Sequence, residues 1–156
     1  MIMVRFLIFI VFGVSFACDV DEVSTWSKKL ASNLYTLDAK NYSSQLASNR
    51  KMFEPELWAR YMKDFEASDY PNSITKDNLK ISSSILGVEQ INHSDKGCNV
   101  VVKVNAIFTG QEKVMSQTLR LTMTIEEVNK MYELVNLSVE KIGDPDVTSL
   151  KYKCNL

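Results

Sequence analysis

The chain has 156 residues, 46% of them hydrophobic, with 18 basic and 19 acidic side chains and a net charge of −1. That length supports one globular core and hardly two. The near balance of charge leaves no broad basic surface for phosphate contacts, so nucleic acid is excluded as an expected partner, and a single histidine with three scattered cysteines gives no clustered metal-ligand pattern.

Residues 1–17 read as an export signal: one arginine in MIMVR, the apolar run FLIFIVFGVSF, and Ser15 and Ala17 as the small residues that a signal peptidase reads. The run from Phe6 to Ala17 is too short to cross a hydrocarbon core of about 30 Å as a helix. Cleavage after Ala17 makes Cys18 the first residue. Two fates are open to it. A bacterial lipoprotein would acylate Cys18, but such signals usually carry Leu or a similar aliphatic residue where this chain has Ser15, so a plain soluble export product is the preferred reading. In an oxidising compartment Cys98 and Cys154 then remain as an even pair, and a bridge between them is expected.

The next part is helical by period. Val23, Trp26, Leu30, Leu34 and Leu37 recur at steps of three and four, the stripe of an amphipathic helix. A weaker helix is expected over about 39–48, with Tyr42 and Leu46 on one face. In FEPELWARYMKDFEAS, Pro55 suits the first helical position, Glu54 and Glu56 complement the positive end of the dipole, and Leu57, Trp58, Tyr61, Met62 and Phe65 form the buried stripe. SDYPNS, with Pro71 and Asn72, is read as the turn that ends the helical half.

From Leu79 onward the period becomes two. Leu79, Ile81, Ser83 and Ile85 share a face, with Gly87 at an expected bulge before Val88 and Ile91. Cys98, Val100, Val102, Val104, Ala106 and Phe108 share a face of the second strand, and Met115, Leu119, Leu121, Met123 and Ile125 one of the third. Val135, Leu137 and Val139 are expected to face inward on a fourth strand that ends near Ile142. The resulting expectation is an α+β fold, an NTF2-like cone in which about three helices pack on a curved four-stranded antiparallel sheet. Its domain runs over 18–142, followed by a tail at 143–156.

YTLDAKNY, residues 35–42, is the one stretch with a plausible reaction centre. Cones of this type often enclose a pocket, and an enzyme would use Asp38 as base with Tyr35 and Tyr42 as orienting donors. The preferred reading is structural: Asp38 stands where one helix must end and the next begin, the place of an N-cap, and the tyrosines pack at the corner. His93 falls in the turn NHSDKG, where a solvated loop residue is expected. No catalytic, metal or cofactor residues are assigned.

The helical half also resembles the periplasmic domain of the DotI/IcmL/TraM family of type IVB secretion systems. The matching residues are Trp26, Tyr35, Thr36, Asp38, Asn41, Tyr42, Leu46, Phe53, Pro55, Glu56, Trp58, Met62 and Lys63. The resemblance implies an NTF2-like domain that serves, without catalysis, as a building block of the envelope assembly. This chain departs from the family pattern at its start, with an export signal in place of the membrane-spanning helix. The expectation is therefore a non-enzymatic exported protein of the periplasm, in contact with other secretion-system envelope proteins or with itself, and at the membrane only if Cys18 is lipidated. A small-molecule binder or enzyme using the cone cavity is the alternative.

Overall fold

The computed structural model describes residues 18–95 and 97–149. The export signal with Ala17, and Cys154, lie outside the described residues. Helices α1 (Val20–Leu34), α2 (Tyr42–Arg50), α3 (Pro55–Ala67) and α4 (Tyr70–Thr75) precede strands β1 (Lys80–Ser94), β2 (Gly97–Thr109), β3 (Lys113–Val128) and β4 (Met131–Ser149). The α+β order is the one the periodicities imply, with one more helix than expected.

That extra helix lies in the segment read as a turn. Pro71 falls in the first turn of α4, where its missing N–H needs no partner. Ile74, fully buried, supplies the reason the turn winds up: it is the one apolar anchor that the segment can place in the core.

Each longer helix begins on a local signal. Asp19 caps α1 by accepting hydrogen bonds from the N–H groups of Asp21 and Glu22, both at 3.0 Å. Glu54 does the same for α3, from Glu56 at 3.1 Å and Leu57 at 2.8 Å, with Pro55 behind it. The α1 stripe buries Val23, Leu30, Ala31 and Leu34 against β1 and β2. Ser27 lies within that stripe, and its hydroxyl donates to the Ser24 carbonyl at 3.0 Å, which meets the requirement that a buried polar group find a partner.

The strands form an antiparallel meander in the order β1-β2-β3-β4. Alternation on β2 and β3 turns Val100, Val102, Val104, Leu121 and Met123 fully inward, each removed from water at a gain of roughly 1.5–3 kcal/mol for the larger side chains. Gly87 stands at a register shift, as its position in the sequence implies. Asn129 and Lys130 close the β3–β4 hairpin with φ of 52° and 64°, the paired left-handed residues of a type I′ turn. Gly97 has φ +154°, and a Cβ there would collide with the Ile125 carbonyl of the neighbouring strand. Only glycine lets β2 start so close to β3.

β4 differs from expectation in two ways. It continues to Ser149 instead of ending near Ile142, so residues 143–149 are strand and not tail. Thr118 pairs with Ile142 and Ser116 with Asp146, so Gly143, Asp144 and Pro145 bulge out opposite the single residue Gln117. The buried Gln117 amide donates to the carbonyls of Ile142 at 3.2 Å and Gly143 at 3.3 Å, replacing the ladder bonds that the bulge breaks. A proline is tolerated because β4 is an edge strand. A second register shift, opposite Thr124 and Ile125, makes Leu134 the buried residue where Val135 was expected.

The cysteine pairing is also corrected. Cys98 is bonded to Cys18, with Cα atoms 6.0 Å apart, and so cannot pair with Cys154. The reason is topological. The start of α1 lies over the end of the sheet where β2 begins, as the hydrogen bond from the Tyr132 hydroxyl to Glu22 at 3.1 Å also shows.

Candidate functional site

The YTLDAKNY corner is built as a reciprocal cap. Asp38 Oδ1 accepts from the N–H groups of Lys40 and Asn41, both at 2.9 Å, while Asn41 Oδ1 accepts from the N–H of Asp38 at 2.8 Å. This is the arrangement of a capping box, with Asn in place of the usual Glu. The Asp38 carbonyl accepts from the Tyr42 N–H, so the helical winding of α2 begins one turn before Tyr42. Immediately upstream, Leu37 exchanges both backbone hydrogen bonds with Ile81, at 2.9 and 2.8 Å, which fastens the corner to β1. Asp38 does not line the cavity described below.

The other motif residues build an aromatic wall. Tyr42 stacks on Phe65 at 6.3 Å, Phe65 on Tyr61 at 6.1 Å, Tyr61 on Trp58 at 5.5 Å, and Trp58 meets Phe53 edge-on at 5.2 Å. Steps of three and four along α3 bring Trp58, Tyr61 and Phe65 onto one face. Phe53, just ahead of Pro55, is buried and pairs with Leu134 of β4. Trp26 packs edge-on against Tyr132 at 6.1 Å, which links α1 to β4. Tyr35 terminates α1.

Between α3, α4 and the inner face of the sheet lies a cavity of about 880 Å³. Leu57, Tyr61 and Phe65 of α3 line one side, Phe108, Met115, Leu119, Leu137 and Val139 the other, and Leu34, Tyr35 and Leu37 the end of α1. Arg60, Asp64, Lys141 and Asp144 also line it and are solvent-exposed, which marks its mouth. Burial raises the Tyr61 phenol to about 12 and pushes the Tyr35 phenol up as well, so both are neutral donors throughout the physiological range. Among the described residues neither hydroxyl makes a hydrogen bond to protein. Tyr61 and Gln117, each important to this region, carry no motif in the sequence; only the three-and-four spacing of α3 pointed to the first.

The outer face of the sheet is different in kind. Arg120 donates through Nε to Glu89 at 2.8 Å and through Nη1 to Glu140 at 3.0 Å, and Lys103 Nζ lies 3.7 Å from Glu89. The hydrogen bond from Arg120 is the main reason the Glu89 carboxyl is held below its ordinary range. Around this cluster are hydroxyl and amide pairs, Ser116 with Asn105 at 2.8 Å and Thr124 with Asn99 at 2.9 Å. His93 lies exposed on β1, not in a turn. No group of three or more metal-ligating side chains occurs among the described residues.

A helical layer set on one face of a four-stranded antiparallel meander, with a cavity between them, defines an α+β fold. The family model for the DotI/IcmL type IVb secretion system inner-membrane complex component matches residues 17–143, and the chain belongs to that family. An IcmL-like type IV secretion system protein from Legionella pneumophila is similar in structure, with a TM-score of 0.72, 17% identity, and coverage of 82% of this chain and 96% of that one. The periplasmic domain of DotI gives 0.68 at 18% identity, covering 81% and 98%. A periplasmic fragment of TraM gives 0.62 at 17% identity, covering 78% and 97%. No curated protein sequence matches the chain.

Proposed function

We propose that this chain is a non-enzymatic envelope protein, exported to the bacterial periplasm, that acts as an accessory or paralogous component of a type IVB secretion system through protein–protein contacts. The observation that carries the reading is the family match, which runs unbroken over residues 17–143 and so takes in nearly all of the described fold. The engagement of Asp38 with backbone amides agrees with it, because a carboxylate held by two N–H donors at a corner outside the cavity is poorly placed to take a proton from a ligand. The Cys18–Cys98 bridge supports an oxidising compartment. It also favours simple signal cleavage over lipidation, since a sulfur joined to Cys98 is not free to carry a thioether.

The test is fractionation of native cells followed by affinity capture of the tagged chain. Recovery from the envelope together with other secretion-system subunits, with Cys18 disulfide-bonded, is the expected result. Recovery alone from the soluble periplasm would argue against a stable place in the machine, and recovery of acylated Cys18 would overturn the cleavage reading.

A further inference from the structure

We propose that the cavity between α3 and the inner face of β3 and β4 binds a small amphiphile, one with an apolar body and a head that offers hydrogen-bond-acceptor oxygens to the hydroxyls of Tyr35 and Tyr61. Its volume, about 880 Å³, lies within the range of small-molecule sites. Its walls are mostly apolar and the helical layer leaves part of them uncovered: Val139, facing inward on β4, remains 45% exposed. An apolar surface left open at the mouth of a cavity is what the body of such a ligand would cover.

The polar part of the site is more specific. Both rings line the cavity, burial chiefly raises both phenols, with Tyr61 adding to the rise at Tyr35, and neither hydroxyl has a protein partner among the described residues. Neither hydroxyl is sealed from the cavity, so an acceptor oxygen delivered by a ligand would take the place of water on these donors. The mouth cannot select a strongly charged head by its field, because Arg60 and Lys141 are balanced there by Asp64 and Asp144. Selection of the head therefore rests on the two phenols. The same amphiphile chemistry could reach the site free in solution or from a membrane.

The experiment uses the full exported chain and titrates it with 11-(dansylamino)undecanoic acid. Saturable one-to-one binding, displaced by dodecanoate, is expected. The paired substitution Tyr35→Phe and Tyr61→Phe should weaken it at least tenfold, since two hydrogen bonds to a carboxylate are lost, with thermal unfolding retained as evidence of an intact fold. Val139→Trp, at an exposed wall position, should weaken binding by narrowing the cavity where the apolar body lies. Decyltrimethylammonium, which has the apolar body without acceptor oxygens, should displace the probe poorly. A second arm incubates the protein with vesicles of phosphatidylethanolamine and phosphatidylglycerol and weighs the re-isolated complex. Lipid carried away assigns a membrane source; none carried, with dodecanoate binding intact, assigns a soluble one; both support the site. Absence of saturable binding together with no lipid carried would overturn the proposal. So would binding indifferent to both sets of substitutions, or displacement by decyltrimethylammonium as effective as by dodecanoate.

Discussion

At Asp38 a single carboxylate oxygen holds two N–H groups, and the neighbouring Asn41 returns the bond to the Asp38 amide. Those groups would otherwise lack partners at the start of α2, since an isolated helix start leaves its first N–H groups unsatisfied. Asp38→Ala should lower stability by about 1 kcal/mol, as lost caps do, while Asp38→Ser should keep most of it. Urea unfolding of the two variants checks this, and an alanine variant as stable as the parent would show that the corner is held by Leu37 and Ile81 alone. A cap was readable at this position because capping is local: it depends on a helix ending, a helix beginning and a short acceptor between them. The cavity neighbour of Tyr35 was not readable: the sequence set Tyr35 beside Asp38 and Tyr42 in a pocket, whereas the cavity takes Tyr61 of α3 with it and leaves the other two out.

The elements were legible in proportion to how far their periodicity was set by local burial. α3 lies where the apolar spacing places it, whereas α1 ends at Leu34, and Leu37, expected on the same stripe, instead bridges Ile81 of β1. β4 was the least legible. The strand was expected to end near Ile142, yet it continues past Gly143, Asp144 and Pro145 because Gln117 on β3 supplies the hydrogen bonds that the bulge loses. The same is true of the link between α1 and β2. Cys18 and Cys98 are 80 positions apart, and nothing short of the meander's topology says that these two element ends meet. That separation gives the bridge its weight: on the chain-entropy model, closing a loop of this length contributes roughly 4.5 kcal/mol by restricting the unfolded chain. Reduction, or Cys98→Ser, should therefore lower the urea midpoint markedly, while Cys154→Ser should leave it nearly unchanged. Equal losses from both serine variants would point to a different pairing.

For the molecule as a whole, the packing of the helices on the sheet takes Tyr35 and Tyr61 out of water and partly covers Tyr132 of β4, and this sets a dependence of stability on pH. Tyr61 and Tyr132 are raised to about 12, and Tyr35 also upward, chiefly by burial. The unfolded chain ionises these phenols near 10, while the folded chain keeps its protons. Between pH 10 and about 12 the unfolded state therefore binds fewer protons, and stability falls as pH rises, by at most about 1.4 kcal/mol per pH unit for Tyr61. Below pH 10 these groups contribute no slope. Urea midpoints at pH 8, 10 and 11 should decline over the upper interval in the parent and less steeply in Tyr61→Phe; equal slopes would show that the phenol is solvated.

The amino-acid order alone determined the four strands and three of the helices, the α+β class, the cap at Asp38, the acidic start of α3, and the resemblance that the family match over residues 17–143 bears out. These follow from interactions within a turn of helix or a pair of strands, whose energetics are written in neighbouring residues. The tertiary structure decided the partner of Cys98, the length of β4, the winding of α4 around buried Ile74, and the meeting of Tyr35 and Tyr61 in one cavity. Each of these depends on residues distant in the chain being brought together, and burial acts on whatever the fold makes adjacent, without regard to the sequence distance between them.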